Sequence, residues 1–67
     1  MPVAIRSRYR GVSWSKRRDL WQTQIMANGM RSFIGYFKDE DEAAMAYNRR
    51  AYAILGERAK LNLGIGQ

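Results

Sequence analysis

The chain has 67 residues, a net charge of +6, and neither cysteine nor histidine. That length suffices for one domain, which buries about 60% of its unfolded surface, and the composition excludes a disulfide framework, a thiolate metal site and a histidine general base. No apolar run approaches the ~18 residues that cross a bilayer, and Met1-Pro2-Val3-Ala4 lacks the apolar stretch of a signal peptide, so a soluble chain is expected.

In chain order, residues 1–7 read as an N-terminal arm, 8–63 as the folded domain and 64–67 as a frayed tail. Arg8-Tyr9-Arg10-Gly11-Val12-Ser13-Trp14 reads as a first strand. Tyr9 and Val12 lie three apart, so a bulge at Gly11 is expected to turn both inward and leave Arg10 and Ser13 outside. Lys16-Arg17-Arg18-Asp19 is the polar connection to the next strand.

Asn28-Gly29 is the strongest local signal, because a type I′ hairpin turn needs positive φ at both positions. It sets the pairs Ala27 with Met30, Ile25 with Ser32, Thr23 with Ile34 and Trp21 with Tyr36 on one side of the hairpin. The other side then carries Gln22 opposite Gly35, Gln24 opposite Phe33 and Met26 opposite Arg31. The Trp, Ile and Ile side is the expected core. Asp39 and Glu42 open a helix predicted over Glu40 to Leu55, with Gly56 ending it. Ala43, Ala44, Tyr47, Ala51, Ile54 and Leu55 form its apolar stripe, and Arg50 lies at the stripe's edge with its stem buried. Ala59 through Leu63 is expected to run extended along the core. The predicted fold class is α+β, a three-stranded antiparallel sheet packed against one C-terminal helix.

One helix covers one face of such a sheet. The uncovered face carries Arg10, Ser13, Gln22, Gln24, Met26, Arg31 and Phe33. Arginine and glutamine can pair bidentately with guanine and adenine edges in the major groove of DNA, and strands can enter that groove. Charge agrees with this reading: residues 1–38 carry eight basic side chains against Asp19 alone, a net of +7, whereas residues 39–57 carry −3. Arg8, Ser15, Lys16, Arg17 and Arg18 are placed as contacts to phosphate or sugar. Trp14 either stacks on a sugar or caps the core edge. The Asp39-Glu40-Asp41-Glu42 run is read as a helix start rather than a metal site. With no phosphate loop, Ser–His pair or ligand cluster, neither enzymatic activity nor a metal or other cofactor is expected.

Tyr9-Arg10-Gly11-Val12, Ile34-Gly35-Tyr36-Phe37, Glu42-Ala43-Ala44-Met45-Ala46-Tyr47 and Ala59-Lys60-Leu61-Asn62 occur in an order and spacing that resembles the APETALA2/ethylene-response-factor DNA-binding domain. The resemblance covers residues 8–63. It implies a three-stranded sheet laid in the major groove, backed by one helix, with DNA contacts at Arg10, Gln24, Met26, Arg31 and Phe33 and with Ser13 and Trp14 nearby. Ser13 and Met26 stand where the plant members usually carry arginines, Gln24 where an acid is common, and Phe33 where a tryptophan is. The Gly-Val-Ser-Trp opening and the Ala-Tyr-Asn-Arg-Arg helix look more like the bacterial and phage members, which often occur fused to His-Asn-His homing nucleases.

The expected partner is double-stranded DNA, bound by a monomer, with no membrane and no metal, either standing alone or excised from a larger protein. The expected role is a transcription-factor or homing-endonuclease targeting module. The alternative is a small basic RNA-binding or ribosome-associated protein. A bacterial or phage-infected cytoplasm is the favoured compartment and the plant nucleus the alternative.

Overall fold

Asn28 and Gly29 have φ of 53° and 76°, so the tight turn forms where the sequence asks for it. In a computed structural model, which describes residues 5–66, this hairpin is the centre of an antiparallel sheet. Its strands are β1 (Ile5–Arg6), β2 (Val12–Ser15), β3 (Leu20–Ala27) and β4 (Met30–Phe37), neighbours in that order. The three longer strands are the expected sheet; the two-residue β1 adds a short edge pairing from within the arm. Residues 1–4 of the arm and Gln67 of the tail lie outside the described residues.

The first expected strand is shorter than predicted. Arg8 to Gly11 form a turn that reverses the chain from β1 into β2, closed by bonds from the Ser7 N–H to the Val12 carbonyl and from the Val12 N–H to the Tyr9 carbonyl. Tyr9 and Val12 are both buried, as expected, but this turn achieves it in place of a bulge in a continuous strand. Gly11 has φ of +78°, which the turn requires. Lys16–Asp19 is the polar turn into β3, with the Asp19 N–H bonded to the Ser15 carbonyl.

The hairpin register holds from Gln24 to Ala27 and then slips. Gln24 faces Phe33, but Thr23 faces Gly35, Gln22 faces Tyr36 and Trp21 faces Phe37, so Ile34 is an extra residue bulged into β4. One inserted residue reverses the alternation beyond it. Ile34 and Phe37 therefore both face the core, and Tyr36, expected inside, lies on the opposite face. The exchange is physically sensible: Phe37 has no hydroxyl to satisfy in the core, whereas Tyr36 keeps its own near water.

The helix α1 (Glu40–Leu55) has the expected limits. Asp39 caps it by accepting the Asp41 N–H at 3.1 Å, and three acidic residues in its first turn meet the positive end of the helix dipole. Gly56, with φ of 60°, ends it by donating its N–H to the Tyr52 carbonyl, and a 3₁₀ turn, Gly56–Arg58, follows. Ala43, Ala44 and Ala51 are fully buried, and their small side chains let the helix lie close to the sheet.

The core has two halves. Tyr9, Val12, Ala43 and Ala44 pack with Trp21, Phe37 and Ile65, and Ile25, Tyr47 and Ala51 pack with Ala27, Ile34, Ala59 and Leu61. Thr23 is fully buried, and its hydroxyl donates to the Ala43 carbonyl at 3.4 Å. Three expectations need correction. Ile54 is exposed, the tail residues Ala59 and Leu61 packing against Tyr47 and Ala51 where it was expected, and Ala46 is buried. Arg50 is exposed. The tail is docked as far as Gly66, with Ile65 against the core and the Gly66 N–H donating to the Tyr9 hydroxyl at 3.4 Å.

Candidate nucleic-acid interface

The sheet face opposite α1 is the candidate site, and the pairing of β2, β3 and β4 determines what it displays. Ser13, Gln22 and Tyr36 form one row across the strands, Gln24 and Phe33 the next, and Met26 and Arg31 the last. Arg31, Met26 and Phe33 are exposed; Ser13, Gln22 and Gln24 are half-buried by their neighbours. Arg10 enters from the turn before β2. Arg10, Gln24, Met26 and Arg31 border one shallow hollow with Gly11 and Tyr47, and a second hollow shares Arg10, Gly11 and Gln24 and extends to Ser13. Five of the seven residues expected to face bases thus gather around Gly11. Gln22 and Phe33 flank them.

The hollow depends on an absent side chain. A Cβ on Gly11 would lie 2.2 Å from the Tyr47 ring and 2.6 Å from the Gln24 carbonyl. The same close approach lets the Gln24 N–H donate to the Gly11 carbonyl at 3.0 Å, which ties the turn to β3.

Arg10 is held by a relay that sequence reasoning missed. The Asn62 side chain accepts the Arg10 N–H at 2.6 Å and donates to the Arg10 carbonyl at 3.1 Å. The Asn48 side chain does the same for the backbone of Asn62, donating to its carbonyl at 2.9 Å and accepting its N–H at 2.7 Å. Helix, tail and turn are thereby joined through paired amide contacts that satisfy both backbone groups at each end. Asn62→Ala is expected to destabilise the domain by about 1–3 kcal/mol and to accelerate hydrogen exchange at the Arg10 amide. Leu63→Ala, at a side chain 86% exposed, should change neither.

The residues expected at phosphate or sugar are spread more widely. Lys16 and Arg17 stand exposed on the turn. Arg18 folds back so that its guanidinium lies 4.9 Å from the centre of the Tyr36 ring. The Ser15 hydroxyl accepts the Arg18 N–H at 3.3 Å, which shapes the same turn. Trp14 lies on the helix side of the sheet, edge-on to Trp21 with ring centres 5.1 Å apart, and so caps the core edge. Arg8 sits by the start of α1, where it donates to the Tyr9 hydroxyl at 3.0 Å and approaches Asp41 at 4.0 Å. That bond to Tyr9, then the negative charges of Glu40 and Asp41, raise its pKa above the usual arginine value. The acidic run anchors the chain before β2: Tyr9 donates to Asp41 at 2.7 Å and Ser7 donates to Glu40. Among the described residues no cluster of His, Cys, Asp or Glu is arranged to hold a metal.

No protein-family model matches the chain. Individual relatives do. It is 35% identical over 65 residues to the AP2-like ethylene-responsive transcription factor TOE2 of Arabidopsis thaliana, an alignment that covers 97% of this chain and 13% of that protein. It is 33% identical over 64 residues to APETALA2-like protein 2 of Oryza sativa subsp. indica, covering 96% and 15%. Dehydration-responsive element-binding protein 2C of Arabidopsis thaliana is 42% identical over 57 residues, covering 82% and 16%. This chain belongs to the APETALA2/ethylene-response-factor family. It spans about one seventh of the length of these relatives.

Within this APETALA2-type domain, Tyr36 is the outer-face residue that sequence reasoning placed wrongly. Its ring centre lies 5.0 Å from that of Phe33, in a tilted pair. The signal was Gly35, since a glycine inside a strand often marks a bulge. The Asn48–Asn62 relay left no such trace, because two asparagines fourteen residues apart have no local pattern to betray them.

Proposed function

We propose that the chain is a double-stranded DNA-binding domain that sets the face opposite α1 into the major groove. The observation that carries this reading is the convergence of Arg10, Gln24 and Arg31 on one hollow at the rim of the uncovered sheet face, which Ile25 and Tyr47 border from the core side. Arg10 and Arg31 suit guanine, and Gln24 suits adenine. Lys16 and Arg17 on the neighbouring turn suit phosphates, which position without specifying. The domain acts by binding rather than catalysis and does so as a monomer. One of its relatives is named as a transcription factor and another as an element-binding protein, which supports a regulatory role; nothing in the comparisons supports a homing-nuclease association. The same relatives are plant proteins, which favours the plant nucleus over the bacterial or phage compartment.

An RNA-binding alternative draws on one feature, the second aromatic on the outer face. Readers of unpaired bases usually offer free ring faces for stacking. Here Phe33 and Tyr36 pack on each other and Arg18 lies over Tyr36, an arrangement that fits a groove better than splayed bases.

Binding of a labelled duplex is expected to weaken with salt, log K falling against log salt with a slope of about −4 to −5 if about five phosphates are neutralised. Unlabelled duplex should compete better than single-stranded DNA or structured RNA. A slope near zero, or stronger competition by RNA, would overturn the proposal.

A further inference from the structure

On the reading that this face enters the major groove, we infer that Phe33, braced by Tyr36, recognises the 5-methyl group of thymine. Phe33 is 52% exposed on a face whose other side chains are mostly polar or charged. A phenyl ring there gains nothing from base-edge donors and acceptors. Thymine C5-methyl is the apolar group that base edges present in the major groove, and contact with it is the sequence-dependent interaction open to such a ring. Phe33 is also restrained before any partner arrives. Tyr36 packs against it at 5.0 Å, and Arg18 lies 4.9 Å from the centre of the Tyr36 ring. A ring already restrained loses less freedom on binding. The bulge at Ile34 creates this support, since regular alternation would have turned Tyr36 into the core.

Position follows from the same geometry. Arg31 and Phe33 are two residues apart on β4, about 7 Å along the strand, which is about two base-pair steps. The thymine is therefore expected within one or two base pairs of the purine read by Arg31. The target is then composite, a purine read by hydrogen bonds beside a thymine read by its methyl.

The test begins with selection of a preferred site from random duplexes. Each thymine of that site is then replaced singly by deoxyuridine, which removes the methyl and keeps every donor and acceptor. At one or two positions the wild-type domain is expected to bind the uracil duplex about three- to fivefold more weakly, the effect of one buried methyl. Phe33→Ala, at a half-exposed site that folding does not need, should bind thymine and uracil forms alike. Tyr36→Ala should keep duplex binding and reduce the discrimination. Wild-type binding that ignores the methyl at every position would overturn this inference alone, as would discrimination that survives in Phe33→Ala. A domain that selects no duplex at all would remove both this inference and the DNA-binding reading beneath it.

Discussion

Gly11→Ala is expected to be the most damaging single substitution in the domain. Two costs combine there. The backbone must hold an alanine at φ of +78°, and the new Cβ would meet the Tyr47 ring at 2.2 Å and the Gln24 carbonyl at 2.6 Å. Tyr47 is itself buried in the core, and the Gln24 carbonyl belongs to the central strand, so neither can move aside cheaply. Backbone strain and overpacking together should cost about 2–4 kcal/mol. A domain of this size has a total stability of about 3–10 kcal/mol. Its melting temperature should fall by about 10–25 °C. Gly29→Ala is the control. Gly29 also has positive φ, at 76°, but nothing lies within 4 Å of its would-be Cβ. It should lose only the strain component, about 1 kcal/mol. Thermal denaturation of both variants checks the pair, and equal losses would mean that the contact with Tyr47 has no energetic weight.

Arg31→Ala should weaken binding to the preferred duplex by about 1–3 kcal/mol and relax preference at one or two base positions. Arg31 is exposed on the sheet face beside the hollow and contributes nothing visible to the core, so the loss should leave folding intact. Arg17→Ala, on the exposed turn, should weaken all duplexes about equally and reduce the salt slope by roughly one unit. Arg49→Ala should change neither, because Arg49 is exposed on α1, which packs on the other face of the sheet from the proposed interface. Binding titrations with the selected site and with unrelated duplexes distinguish the three. If Arg49→Ala impairs binding more than Arg31→Ala, the helix and not the sheet meets the nucleic acid, and the docking face is misassigned.

Much of the candidate interface was legible from one dipeptide. Asn28-Gly29 permits a single tight hairpin, and period-two alternation from that turn places Gln24, Met26, Arg31 and Phe33 on one face. Every one of those four placements stands, because they lie between the turn and the bulge. Beyond the bulge the alternation fails, and Tyr36 with it. Trp14 was ambiguous for a related reason: its ring suits a groove or a core edge equally, and the Trp14–Trp21 pair across β2 and β3 places it at the core edge.

The sequence by itself determined the elements whose causes are local. A capping aspartate, an alanine-lined stripe and a terminal glycine define α1 within its own sixteen residues. The Asn-Gly turn and the segregation of positive charge are equally local and equally readable. The tertiary structure alone decided what depends on residues far apart in the chain. Whether Ile34 bulges is settled by how Ile34 and Phe37 both reach a core that includes Tyr9, Tyr47 and the tail. Where the backbone of Arg10 sits is settled through Asn62, fifty-two residues away, which is itself fixed by Asn48 on the helix. Such contacts form only after the hairpin, helix and tail have packed, because buried or half-buried backbone groups must then find partners that no short stretch of sequence can supply.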